Sequence, residues 1–151
     1  MREVAALAAR VAELERRVAG MFRSGNVDDV DPAKQRVRLD LGPSSNGGRF
    51  RSPWVPYSQI GGALKAHTPP SKGQQMSLVS PSGNMQQAVA MPMTFSEENA
   101  SPSQDGEANV ITYGGFNISL TADTLTVSIG GSSIVVTGGS IEMNSPRIDL
   151  N

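Results

Sequence analysis

The sequence predicts a mainly β fold in three parts: a short N-terminal α-helix, a small closed β-barrel and a C-terminal ladder of short strands. Three observations carry this. Apolar residues recur at helical spacing near the start, short alternating segments broken by turn residues occupy the middle, and a period-two pattern with evenly spaced turn clusters fills the end. The expected boundaries are 1–23 for the helix, 24–94 for the barrel, 95–109 for a linker and 110–151 for the ladder.

In the helix, Val4, Leu7, Val11, Leu14, Val18 and Met21 step by alternating threes and fours, which places them on one stripe. With Val4 at heptad position a, Leu7 and Leu14 fall at d, and Arg10 at g faces Glu15 at e of a parallel neighbour. The stripe is therefore expected to be an oligomerisation surface, through Val4, Leu7, Val11, Leu14 and Val18. β-branched residues at a with Leu at d favour two strands when taken alone.

The middle region opens at Gly25-Asn26-Val27. Val27 and Val30 lead to Asp31-Pro32-Ala33-Lys34, a turn signal, after which Val37, Leu39 and Leu41 alternate with Arg36, Arg38 and Asp40. Trp54-Val55-Pro56-Tyr57 reads as an edge or irregular strand because of Pro53 and Pro56. Residues 76–80 and 87–91 form two further strands about the turn Pro81-Ser82-Gly83-Asn84. About five short strands with long connections fit a closed barrel, which removes unpaired edges. Val37, Leu39, Trp54 and Leu78 are its expected core or interface residues.

Several of these blocks, in this order, resemble the phage baseplate assembly protein V family. They are Gly25-Asn26-Val27 with Asp31 and Arg36-Val37-Arg38-Leu39, then Trp54-Val55-Pro56-Tyr57, then residues 69–78 and Ser80-Pro81-Ser82-Gly83-Asn84. The family's Gly-Glu-Gln-Val block stands here as Gly73-Gln74-Gln75-Met76, so a usual acidic position is neutral. The resemblance implies an OB-fold domain that trimerises about a tail axis and carries a β-helical spike. It also implies a virion location in the tail baseplate, with synthesis in the host cytoplasm.

The ladder begins at Val110. Phe116, Ile118 and Leu120 alternate with polar residues, as do Leu125, Val127 and Ile129, then Ile134 and Val136, Ile141 and Met143, and Ile148 and Leu150. Turn-rich clusters separate them at Thr121-Ala122-Asp123, Gly130-Gly131-Ser132, Gly138-Gly139-Ser140 and Asn144-Ser145-Pro146. Each strand offers only two or three apolar side chains, too few to offset an ordering cost of roughly 1–2 kcal/mol per residue unless they are almost completely buried. Self-assembly is expected through Phe116, Ile118, Leu125, Val127, Ile134, Val136, Ile141, Met143 and Ile148. Joined with the resemblance, this becomes a C-terminal triple-stranded intertwined β-helix in a trimer.

Composition excludes more than it assigns. Four Phe, two Tyr and one Trp against 16 Gly and 10 Pro leave a modest core, and without cysteine there is neither disulfide nor thiolate site. Residues 1–23 carry five basic and three acidic groups, residues 24–96 seven and four, and residues 97–151 one and seven. That middle excess is too weak for a nucleic-acid-binding stripe, and basic and aromatic residues do not interleave as a single-strand groove requires. No apolar run can span a bilayer, and Arg10, Glu13, Glu15, Arg16 and Arg17 interrupt any signal-peptide core, so a soluble product is expected. His67, the single histidine, has no acidic neighbour, and Asp28, Asp29 and Asp31 lack EF-hand spacing. Neither a catalytic constellation nor a cofactor is expected.

These readings together predict the structural central spike of a contractile tail baseplate, which caps the tail tube and pierces the host outer membrane on contraction. Its expected partners are copies of itself, tail hub and baseplate proteins, and the host envelope, with no specific nucleic acid. Related spikes end in a His-x-His apex that binds iron; no histidine follows His67, so the expectation is either a blunt needle or a separate tip protein seated near Leu150 and Asn151. The alternative is an OB-fold protein that binds single-stranded nucleic acid and carries an oligomerisation tail.

Overall fold

A computed structural model describes residues 1–149, which fall into two compact units, Met1–Ala100 and Ser101–Asn151. The expected seat of a tip protein at Leu150 and Asn151 lies outside the described residues.

In the first unit, α1 (Arg2–Met21) runs without a loop into β1 (Phe22–Asp31). The chain reverses through Asp31-Pro32-Ala33-Lys34, with Gln35 in the left-handed region at φ 55°, and returns as β2 (Arg36–Pro43). The Asp31 carboxylate accepts the Lys34 N–H at 3.1 Å and so closes this turn. β3 (Arg49–Arg51) and β4 (Val55–Pro56) both pair with β2. A small hairpin, β5 (Ile60–Gly61) and β6 (Lys65–Ala66), stands apart as its own two-stranded sheet. β7 (Gln75–Val79), a 3₁₀ turn at Met85–Gln87 and β8 (Val89–Pro92) complete the unit, and the main sheet has the order β3-β2-β1-β7-β8.

Alternation along these strands turns Val27, Val37, Leu39, Val55, Met76, Leu78 and Ala90 inward, where Tyr57 and Ala88 join them in one buried cluster. Ser52 is buried beside it. Its hydroxyl accepts the Leu39 N–H at 2.9 Å and donates to the Pro53 carbonyl at 2.8 Å, standing in for ladder bonds at the point where Pro53 has no N–H to give.

The expected closed barrel is not what forms. The main sheet is open, and between β4 and β8 there is one isolated bridge, Tyr57 to Ala90, with a single adjoining bond from the Ser58 N–H to the Ala90 carbonyl at 2.8 Å. The cause is local: β4 is two residues long, starts two residues after Pro53 and ends on Pro56, so a continuous ladder cannot extend across the gap.

The second unit is one antiparallel sheet in chain order: β9 (Asn109–Tyr113), β10 (Phe116–Leu120), β11 (Thr124–Ile129), β12 (Ser132–Thr137) and β13 (Ile141–Asn144). This overturns the expected triple-stranded intertwined β-helix and the homotrimer inferred from it, since each strand hydrogen-bonds its predecessor in the same chain and the sheet neither closes nor curls into a solenoid. The turns explain the outcome. Gly114-Gly115 and Gly130-Gly131 are two-residue connections whose first glycine has φ +57° and +55°, a conformation that folds a strand directly back on its neighbour. Ile148, expected in a last strand, follows β13 in an irregular segment.

Candidate functional site

Two surfaces and one polar cluster hold the residues singled out above. The first surface is the sheet of the second unit. Residues paired across antiparallel strands share a face, so the register assigns every side chain to one side or the other. One row joins Tyr113, Phe116, Ile129 and Ser132, the next Ile111, Ile118, Val127, Ile134 and Met143, and the third Asn109, Leu120, Leu125, Val136 and Ile141. All three rows lie on the same face. The opposite face carries Thr112, Asn117, Ser128, Ser133 and Asn144 in one row and Val110, Ser119, Thr126, Val135 and Glu142 in the other.

Leu125, Ile134, Ile141 and Met143 of the apolar face are exposed, while Phe116, Ile118, Val127 and Val136 are half-buried by their own neighbours. Ile148 comes back toward this face and helps bound a depression of about 280 Å³ with Val127, Ile129, Ile134 and Met143. Ile111, Tyr113, Leu120 and Ile129, not among the contact residues expected from the sequence, belong to the same surface. Their signal was the alternation itself, continued one strand earlier for Ile111 and Tyr113 and one two-residue step further for Leu120 and Ile129.

The second surface is α1. None of its residues is buried, and Val4, Leu7, Val11, Leu14 and Val18 are 47–68% exposed. Its C-terminal end is nevertheless fixed to the β-structure. The Ser80 N–H donates to the Met21 carbonyl at 2.8 Å, and Gly20 and Gly83 approach so closely that a Cβ on Gly20 would lie 2.5 Å from the Gly83 carbonyl oxygen. On its flank the Arg17 and Arg16 guanidiniums, bonded to the Glu13 carboxylate at 2.8–2.9 Å, hold that carboxyl below its ordinary value.

The polar cluster accounts for the aspartates of β1. A register shift between Val27 and Asp29 displaces Asp28, whose side chain is 9% exposed and meets Arg51 at 3.1 Å and Arg49 at 3.7 Å; Arg49 also reaches Asp40 at 3.4 Å. The Asp29 carboxylate accepts the Val30 N–H, and Asp31 caps its turn. All three aspartates thus have structural partners, and among the described residues no group of three or more His, Cys, Asp or Glu could hold a metal.

Of the four expected core or interface residues, Val37, Leu39 and Leu78 lie in the buried cluster, whereas Trp54 is half-buried outside it. The Arg38 guanidinium covers the indole at 5.0 Å from the ring centroid, and Arg36 donates to the Trp54 carbonyl. One face of this aromatic is therefore already occupied.

Compared with known families, residues 23–95 match the model described as "Type VI secretion system/phage-baseplate injector OB domain". The match covers the sheet of the first unit and excludes both α1 and the second unit. No curated protein matches the chain.

Proposed function

We propose, from the match of residues 23–95 to the injector OB domain of phage baseplates and type VI secretion systems, that this chain is an injector element at the end of a contractile tail. The matched model describes an injector domain, and the chain is read as a structural component on that ground. The matched domain seats on the tail tube and contacts other baseplate proteins. The second unit is the part driven against the target cell's outer envelope when the tail contracts.

The observation that carries this reading is an injector domain followed in the same chain by a sheet whose one face is apolar but for Asn109 and Ser132 at its ends and whose other face is largely polar. A sheet of that kind gains stiffness once its bare face is covered, and identical faces are self-complementary. Further copies of this chain are the proposed cover.

A cryo-electron microscopy map of the assembled particle tests the proposal. Density for the chain on the tail axis, beyond the tube, is the expected result; density confined to the sheath or the tube wall rejects it. Titration with labelled single-stranded nucleic acid at physiological salt is expected to show no binding, whereas salt-dependent affinity would favour the nucleic-acid reading.

A further inference from the structure

We propose that the turn between β1 and β2 carries a binding site for an acidic side chain of a partner protein, seated between Lys34, Arg36 and the indole of Trp54. A side-chain-sized pocket of about 220 Å³ lies here, walled by Asp31, Lys34, Arg36 and Trp54. The strand register builds it. Arg36 stands opposite Asp31 and Arg38 opposite Asp29 across the β1–β2 ladder, while Val37 pairs with Val55 and so brings Trp54 beside Arg38. The Arg38 guanidinium stacks on the indole at 5.0 Å from the ring centroid, and its buried Nε–H has no acceptor. That stack closes one face of the ring and holds the indole as a wall.

Charge selects the occupant. Arg36 does not pair with the aspartate opposite it: its guanidinium donates to the Trp54 carbonyl at 3.3 Å and makes no ion pair among the described residues. The rest of its fork of donors is left for a ligand, and a carboxylate fits such a fork with two bonds. Lys34 reaches one Asp31 oxygen only at 3.8 Å, while the other takes the Lys34 N–H at 3.1 Å and closes the turn. Lys34 and Arg36 against Asp31 leave the pocket walls with one positive charge in excess, and Asp29 offsets Arg38 across the ladder. A single carboxylate neutralises that excess. A dianionic phosphate would bring a second charge toward Asp31. The indole adds apolar surface for an aliphatic neighbour of the acidic residue. The site is argued from the first unit alone and does not rest on the baseplate reading.

Trp54 is the only tryptophan of the chain, so its emission reports on the pocket directly. The full-length protein is titrated at constant ionic strength with the capped peptide acetyl-Leu-Glu-Leu-amide, its isostere acetyl-Leu-Gln-Leu-amide and inorganic phosphate. A saturable change with the Glu peptide is expected, with several-fold weaker binding of the Gln peptide and of phosphate. Equal affinity for the two peptides would overturn recognition by charge, and phosphate binding as tightly as the Glu peptide would overturn the carboxylate assignment. Tighter binding of acetyl-Leu-Gln-Leu with a free C-terminus would overturn the side-chain assignment in favour of a chain end. Neither an emission change nor heat in calorimetry with the Glu peptide would overturn the site itself.

Lys34→Gln and Arg36→Gln are each expected to weaken the Glu peptide several-fold and to leave the Gln peptide unchanged, a split that a general disturbance of the turn would not produce. Both positions are exposed, so the fold survives either substitution. Lys65→Gln removes an exposed cation outside the pocket and is expected to change neither affinity. Wild-type affinity for the Glu peptide in both the Lys34 and the Arg36 variant, or an equal loss for the two peptides, would refute the assignment.

Discussion

Replacing Ile134 with Asp tests whether the apolar sheet face is covered. Ile134 lies at the centre of its row between Val127 and Met143, and is 44% exposed in the single chain. Full burial of a large aliphatic side chain contributes about 1.5–3 kcal/mol, so completing the burial of Ile134 adds about 0.7–1.3 kcal/mol. Extended to the eight most exposed residues of the face, from Ile111 to Met143, the unrealised burial is on the order of 7–14 kcal/mol per chain, comparable with the estimated cost of association. An unpaired carboxylate placed in that contact loses the gain and adds a desolvation penalty of several kcal/mol. On a bare face the same substitution costs only its strand-propensity penalty, up to about 1 kcal/mol. Ser133→Asp, one residue away on the polar face between Ser128 and Asn144, carries that propensity penalty alone and is the control. Sedimentation velocity and thermal unfolding of the wild-type protein, Ile134→Asp and Ser133→Asp read the difference. The expected result is an assembled wild type and Ser133→Asp, with Ile134→Asp dissociated and unfolding at lower temperature. Equal behaviour of the two aspartate variants refutes the covered face.

Three further outcomes follow from the first unit. Ser52→Ala leaves the buried Leu39 N–H without its acceptor, and is expected to destabilise the unit by about 1–3 kcal/mol in denaturant titration. Gly20→Ala ordinarily favours a helix by about 1 kcal/mol, but here the new methyl meets the Gly83 carbonyl; a lower melting temperature is expected, against no loss for Gly139→Ala, which meets nothing within 4 Å. The Arg17 and Arg16 guanidiniums hold the Glu13 carboxyl below its ordinary value, so its ion pairs contribute above the unfolded pKa and are lost as pH falls through the folded one. Acid titration of helicity by circular dichroism should therefore show a component that Glu13→Gln removes.

The parts legible in the sequence are those whose signal is periodic and local. Val4 to Val18 marks a helix by spacing alone, and Val37, Leu39 and Leu41 mark β2 by alternation, because both patterns are repeated by the backbone itself. Closure was not legible, since alternation counts strands without saying which edges meet. Pro53 and Pro56 pointed to a weak edge, and that weakness decided the outcome. In the second unit the same glycine pairs could be read as stacking corners between chains or as hairpin turns within one. The left-handed φ at Gly114 and Gly130 selects hairpins. Ser52 and Asp28 carried no sequence signal of their roles: one acts through a single hydroxyl opposite Leu39, the other through a register shift that no residue type announces.

Where the chain buries its apolar side chains bears on where its function lies. The fully buried cluster, from Val27 to Ala90, falls entirely within the residues that match the injector domain. Outside them the apolar residues are just as regular but none of the described ones joins the buried core, and most stay exposed along α1 and across three rows of the β9–β13 sheet. Regular alternation has little folding value if its apolar face stays in water, because ordering each residue costs roughly 1–2 kcal/mol and only burial offsets it. Two unmatched segments that keep this regularity before and after the matched residues in the sequence therefore fit the proposed reading, in which such contacts are completed in an assembly. Their helix and sheet geometries differ, so the sheet contact can be broken by itself, by a carboxylate at Ile134 that leaves the helix unchanged.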